Sequence, residues 1–109
     1  MITTEQIDLL KDVIVKTMQP EKIYLFGSYA NGTANEHSDL DILIEVGHTD
    51  VPHLKRNIEV WTEMDKTRKL IFPKDIFVYT TDEVNEWKDV KNSFINMALS
   101  KSKSLYERN

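Results

Sequence analysis

The first twenty residues carry apolar side chains at helical spacing. Positions three or four residues apart in this segment are occupied by Ile7, Leu10, Ile14 and Met18. Such spacing places apolar side chains on one face of a helix, and Pro20 ends the pattern. Thr3-Thr4-Glu5-Gln6 has the form of a capping box, in which two side chains satisfy free backbone N–H groups. We therefore predict a first helix that packs its apolar face on a sheet.

Three short segments have the composition of β-strands. Residues 23–26 form an apolar run that ends at Gly27. Residues 40–46 alternate apolar side chains with others, and residues 74–79 combine β-branched and aromatic side chains. We expect these strands to pair in one sheet, with the closing Leu105-Tyr106 packed against that sheet or against a partner protein.

Two further segments have helical patterns. In residues 51–70 the apolar positions at helical spacing are Leu54, Ile58, Trp61 and Met64. They predict one long helix that tolerates Pro52 in its first turn. A last helical region begins at Thr81-Asp82, which we expect to act as its cap, and breaks near residues 89–92.

The order of these elements indicates an α/β (α+β) fold. We expect a small mixed sheet of three to four strands that is packed by helices. A length of 109 residues suits one domain over residues 1–109, with a single core and little room for a second lobe.

Charge and composition narrow the possible partners and locations. Fourteen basic against eighteen acidic residues give a net charge of −4, which makes stable nucleic-acid binding unfavourable. The chain has no cysteine, so it has no disulfides, thiolate metal sites or cysteine nucleophiles. No apolar run is long enough for a membrane span, and the first residues do not have the pattern of a signal peptide. We expect a cytoplasmic protein.

The candidate chemistry lies between residues 26 and 41. Gly27 lets the backbone approach a ligand closely, and Ser28 offers a hydroxyl and a main-chain N–H where a short helix begins, as phosphate sites require. Ten residues later come Asp39 and Asp41, which project from the same side of a strand about 7 Å apart. Their oxygens suit Mg²⁺, which takes one or two carboxylates and completes its shell with water and phosphates.

This combination of Gly27-Ser28, ten residues and Asp39-Leu40-Asp41 resembles the signature of the DNA polymerase beta nucleotidyltransferase superfamily. The run Gly-Ser-Tyr-Ala-Asn-Gly and the short length resemble its minimal nucleotidyltransferases, the MNT or MntA-like proteins. The likeness extends through Asp75 to the end of the chain. Many of these proteins are antitoxins paired with HEPN-domain RNase toxins. The simpler interpretation, ordinary turns and a solvated strand edge, does not account for the joint match of residue type and spacing.

The resemblance implies specific roles for these residues. Gly27 and Ser28 bind the nucleotide, Asp39 and Asp41 hold Mg²⁺, two ions in the usual scheme, and Asp75 matches the third carboxylate. Asp75 then completes the acceptor-side metal site or accepts the proton of the acceptor hydroxyl. ATP is the implied substrate, and AMP is transferred to a tyrosine of the cognate HEPN toxin. Homo- or hetero-oligomers are both compatible with such pairing.

One position departs from the family pattern. Many relatives carry arginine where this chain has Asn31, so one cationic contact to phosphate is missing or is supplied from elsewhere. The candidate is a basic cluster formed by Lys66, Arg68, Lys69 and Lys74. Its alternative role is that of a solvated helix end, because cations are favourable near helix C-termini.

Three functions remain open at this stage. The leading hypothesis is transfer of AMP to a partner protein, since so short a chain has no lobe of its own for an acceptor. The second is transfer to a small molecule of the aminoglycoside type. The third is an antitoxin that occludes its toxin by binding, with no catalysis.

Overall fold

The computed structural model describes residues 1–109, and its first helix, α1 (Thr4–Met18), agrees with the sequence pattern. The Thr3 side chain accepts a hydrogen bond from the Gln6 N–H, and the Gln6 side chain accepts one from the Thr3 N–H, which confirms the capping box. The helix ends at Gln19, which adopts a left-handed conformation with φ of 47°.

Four strands form one sheet. They are β1 (Lys22–Phe26), β2 (Leu40–Val46), β3 (Lys74–Thr80) and β4 (Lys103–Glu107), in the spatial order β3-β2-β1-β4. The pairs of β1 with β2 and with β4 are antiparallel, whereas β2 and β3 are parallel. The predicted mixed sheet packed by helices is therefore confirmed, and the closing Leu105-Tyr106 belongs to its fourth strand.

The remaining helices are short. They are α2 (Ser28–Asn31), α3 (Ile58–Asp65), α4 (Thr81–Trp87) and α5 (Phe94–Ser100). The break between α4 and α5 lies where the sequence predicted it. The cap of α4 is Thr80 rather than Thr81, because the Thr80 side chain accepts a hydrogen bond from the Glu83 N–H.

The prediction of one helix over residues 51–70 is wrong. This segment contains α3 between two 3-10 turns, His53–Lys55 and Arg68–Leu70. Leu54 is 89% exposed and Ile58 is 55% exposed, so the apolar spacing does not follow a buried face. The side chains before α3 serve the sheet instead, since Asn57 donates a hydrogen bond to the Ile76 carbonyl at the outer edge of β3.

The two faces of the sheet have different roles. One face is covered by α1 and α3 and holds most of the apolar core, in which the fully buried side chains include Leu10, Ile14, Ile23, Leu40, Ile42, Ile44, Val60 and Met64. Trp61 is half-buried against this core. The other face is only partly covered, by α4 and α5, and it carries Phe26, Asp41 and Asp75 in neighbouring register positions. No helix in the structure is long and apolar enough to cross a membrane.

An ion pair joins the start of α4 to the segment that precedes α3. Arg56 donates a hydrogen bond to the Glu83 carboxylate and also contacts the Val78 carbonyl. Glu83 additionally accepts a hydrogen bond from the Thr80 N–H. The bond from Arg56, together with that from Thr80, lowers the pKa of Glu83 below its ordinary value. The charged form of Glu83 therefore stabilises the folded state.

We expect Glu83→Gln to destabilise the protein by on the order of 1 kcal/mol at neutral pH, because it removes the charge but keeps a capping side chain. A carboxyl with a lowered folded pKa contributes stability above its unfolded pKa of about 4.3 and loses it as the pH falls through the folded value. Thermal unfolding of both proteins between pH 7 and pH 3 should therefore show a difference in Tm that shrinks in acid. Glu86→Gln, on the exposed side of α4, is the control. A difference that is constant with pH would contradict this account.

Candidate active site

Gly27 forms the turn from β1 into α2, and its conformation is one that only glycine adopts readily. Its φ is +73° and its ψ is −154°. A Cβ atom at this position would overlap Oδ2 of Asp41 and lie 3.2 Å from its Cγ. The backbone of the turn therefore lies directly against the Asp41 carboxyl group, as the sequence interpretation required of Gly27.

The strands bring Asp41 and Asp75 side by side. These residues are partners in the parallel register of β2 with β3, and Phe26 is the partner of Asp41 on the other side, in β1. Residues paired in this way project from the same face of a sheet. Asp39 lies two positions before Asp41, just outside β2, and is exposed. The predicted site residues are thus brought together at the end of β1 and the beginnings of β2 and β3.

No basic side chain balances these carboxylates. Asp39, Asp41 and Asp75 take part in none of the ion pairs of the structure. Burial, followed by the charges of Asp75 and Asp39, raises the pKa of Asp41. Like charges held together in a partly buried position cost free energy, and a bound cation would remove that cost.

The carboxylates do not form a complete metal cage by themselves. No group of three or more His, Cys, Asp or Glu side chains is arranged closely enough to hold an ion. Mg²⁺ does not need such a cage, because it keeps several waters and combines one or two carboxylates with substrate phosphates. The adjacent oxygens of Asp41 and Asp75 fit that type of site, with Asp39 at its exposed side.

The helix α2 follows Gly27 directly and provides the second part of the site. The N–H groups of Ala30 and Asn31 donate to the Gly27 carbonyl. Those of Ser28 and Tyr29 have no acceptor inside the helix, as is general for a first turn. Ser28 is half-buried, and its hydroxyl group hydrogen-bonds no other group of the chain. These donors lie on the Gly27 side of Asp41.

The basic cluster lies away from this site. Lys74 is next to Asp75 in β3, but its Nζ donates to the carbonyls of Leu70 at 2.6 Å and Phe72 at 3.1 Å. The same nitrogen lies 4.9 Å from the ring centroid of Trp61, and burial lowers the pKa of Lys74. The structure thus gives this lysine a packing role on the opposite face of the sheet.

Sequence reasoning did not single out an aromatic cluster beside the carboxylates. The ring of Phe94 in α5 lies 4.7 Å from that of Phe77 and 5.9 Å from that of Phe26. Phe77 is two positions after Asp75, on the same face of β3. These contacts join residues far apart in sequence, so no local pattern could have shown them.

Comparison with known proteins agrees with this geometry. Residues 8–109 match the family described as "Polymerase beta, Nucleotidyltransferase". The chain belongs to this nucleotidyltransferase family. The match includes both strands that carry the aspartates and the Gly27 turn between them, so the family resemblance inferred from the motif is confirmed.

Relatives and solved structures extend the comparison. The chain is 32% identical over 56 residues to a Methanocaldococcus jannaschii protein named "Putative protein adenylyltransferase MJ1379". That match covers 51% of this chain and 56% of the relative, so the chain spans about half the length of that curated relative. A crystal structure described as "a putative nucleotidyltransferase from Sulfolobus solfataricus" has a TM-score of 0.62 at 19% identity, covering 95% of this chain and 79% of that one. A chain from "the toxin-antitoxin with AMP-PNP" has a TM-score of 0.61 at 22% identity, covering 95% and 74%. These structures share the fold of this nucleotidyltransferase domain.

The two glycines that flank α2 provide a test of the contact between Gly27 and Asp41. Gly32 also has a positive φ, of 76°, but a Cβ there would meet nothing within 4 Å. We expect Gly32→Ala to cost about 1 kcal/mol through backbone strain alone. Gly27→Ala should cost roughly 3 kcal/mol or more, because it adds a steric overlap to a conformation that is essentially restricted to glycine. Urea unfolding measures both values. Equal losses would show that the overlap with Asp41 is relieved without cost.

Proposed function

We propose that this nucleotidyltransferase domain transfers AMP from ATP, in the presence of Mg²⁺, to a tyrosine hydroxyl of a HEPN-domain toxin and thereby neutralises that toxin. The observation that carries the proposal is the group of unbalanced carboxylates, Asp39, Asp41 and Asp75, held against the Gly27 turn. Charged groups without a partner in a fold of this family are suited to a cation and a nucleotide.

Each side chain has a position that fits its proposed role. Asp39 and Asp41 would hold Mg²⁺ through their oxygens, with Asp75 completing the set. Mg²⁺ supplies charge neutralisation on the phosphate oxygens and lowers the pKa of an acceptor hydroxyl group. Gly27 and Ser28 bind the pyrophosphate end of ATP through backbone N–H groups and the Ser28 hydroxyl.

The chemical step is one displacement at phosphorus. The acceptor oxygen forms a bond to the α-phosphorus of ATP, and the bond from that phosphorus to the bridging oxygen breaks. Pyrophosphate leaves with the electron pair, while the hydroxyl proton passes to the exposed carboxylate of Asp75. The chain's own part is to position these groups and to bind the leaving phosphates, as in other phosphoryl transfers.

Surface composition supports a protein as the acceptor. Four large apolar side chains on and between α4 and α5 are partly exposed, at 44%, 43%, 42% and 63% respectively, namely Trp87, Val90, Phe94 and Met97. Phe94 also contacts Phe26 and Phe77 beside the carboxylates. This apolar surface is therefore continuous with the site and suits a partner that presents its hydroxyl there. The names of the relative and of the toxin–antitoxin structure point in the same direction.

Mass spectrometry of the partner protein tests the transfer directly. The chain is co-expressed with the HEPN-domain protein encoded beside it, and the intact mass of that protein is measured. We expect an increase equal to one or more AMP units, which disappears with Asp41→Asn or Asp75→Asn. Peptide mapping should place the addition on a tyrosine.

Two controls separate chemistry from folding. Asp50→Asn changes a carboxylate that is 98% exposed and distant in sequence from the site, so it should leave transfer intact. The Asp41→Asn and Asp75→Asn variants should unfold at or slightly above the wild-type temperature, because each removes a repulsion between like charges. Full transfer by both site variants would overturn the mechanism.

Occlusion of the toxin without catalysis is the second candidate, and the same exposed apolar surface favours it. If Asp39→Asn combined with Asp41→Asn rescues growth as completely as the wild type does, binding alone accounts for neutralisation. If the partner shows neither a mass change nor a complex, small-molecule acceptors such as aminoglycosides become the better hypothesis.

A further inference from the structure

A cavity opens on the side of Gly27 that faces α5. It has a volume of about 190 Å³ and lies between the Gly27 turn, Asn31 of α2 and the C-terminal end of α5. Its apolar wall includes Phe94, and Lys101 stands at its rim, directly after α5. The volume corresponds to roughly six water molecules, so hydrated phosphate groups can enter it.

Two polar side chains of this cavity have no partner within the chain. Neither the Asn31 amide nor the Lys101 ammonium group takes part in a side-chain hydrogen bond or an ion pair. Ser100 also lines the cavity, but its hydroxyl donates to the Met97 carbonyl at 2.8 Å. The free donors are thus one amide and one cation, a combination that suits an anion.

The other cations near the site are already engaged. Arg56 pairs with Glu83, and Lys74 binds two backbone carbonyls on the opposite face of the sheet. Lys66 pairs with Glu63 on α3. Lys101 is therefore the cation that the fold places in the same cavity as Gly27.

We propose that this cavity binds the β- and γ-phosphates of the donor nucleotide and that Lys101, with the Asn31 amide, is their positioning contact. The inference rests on the proposed function, because it takes the α-phosphate to lie at Asp41. It extends that function by making the domain selective for nucleoside triphosphates over monophosphates. It also assigns the phosphate cation to Lys101 and not to the basic cluster near Lys74.

Binding measured without an acceptor protein tests the cavity separately from catalysis. Titration calorimetry with Mg²⁺ and the non-reacting α,β-methylene analogue of ATP gives Kd for the wild type, Lys101→Gln, Lys101→Arg and the control Lys103→Gln. Lys103 is exposed and lies on β4, outside the cavity. We expect Lys101→Gln to raise Kd roughly tenfold, as for one lost charge-assisted contact. Lys101→Arg should keep most of the affinity, and Lys103→Gln should match the wild type.

The same titration with AMP identifies which part of the nucleotide the cavity contacts. AMP should bind equally to the wild type and to Lys101→Gln, since it has no β- or γ-phosphate. An equal loss of AMP affinity would overturn the proposal and place the base or sugar in the cavity. Unchanged affinity for the triphosphate would overturn it as well. The difference between Lys101→Gln and the wild type should also shrink at high salt, because Lys101 is exposed.

The two proposals can fail independently. If α,β-methylene ATP binding depends on Lys101 but no partner protein gains mass, the phosphate cavity stands and the acceptor assignment fails. If transfer occurs with a wild-type KM for ATP in Lys101→Gln, the reaction stands and the cavity assignment fails.

Discussion

The structure depends on the parallel pairing of β2 with β3, which holds two like-charged side chains in adjacent positions. Asp41 and Asp75 would separate if their backbones were free, because their charges repel and Asp41 is partly buried. Burial on the opposite face opposes this repulsion. Leu40, Ile42 and Ile76 are buried there, and the register that places them in the core also fixes the aspartates. A shift of one residue would exchange the two faces of the strand, so the apolar core selects the geometry of the site.

The alternation of side chains along β3 separates two kinds of chemistry within two residues. Lys74 faces the helices and is held by backbone carbonyls and an aromatic ring, whereas Asp75 faces the open side of the sheet. A basic residue next in sequence to an acidic one therefore does not neutralise it. The site stays anionic, and this fits a cofactor and a substrate that bring their own positive and negative charges.

The parts of the fold set by local signals could be predicted from the sequence. The capping box at Thr3, the strand that includes Asp41 and the turn at Gly27 follow from residue type and spacing, and the structure has all three. Residues 51–70 could not be predicted in this way. Leu54 and Ile58 have helical spacing but face solvent, and only the tertiary structure shows that the segment turns to cover the edge of β3. The separation of Lys74 from the site did follow from strand alternation, although the local cluster of positive charge suggested a common role.

The arrangement around Gly27 gives the site a direction. Asp41 lies against one side of this turn, and the cavity with Asn31 and Lys101 opens toward α5. With the α-phosphate at the carboxylates, the terminal phosphates extend toward α5, and the leaving pyrophosphate departs on that side. An in-line displacement then requires the acceptor hydroxyl to approach from the opposite side, where Asp75 is exposed at the beginning of an edge strand. The partner protein must therefore reach across the open face of the sheet, and the aromatic rings of Phe77 and Phe94 form the floor of that approach.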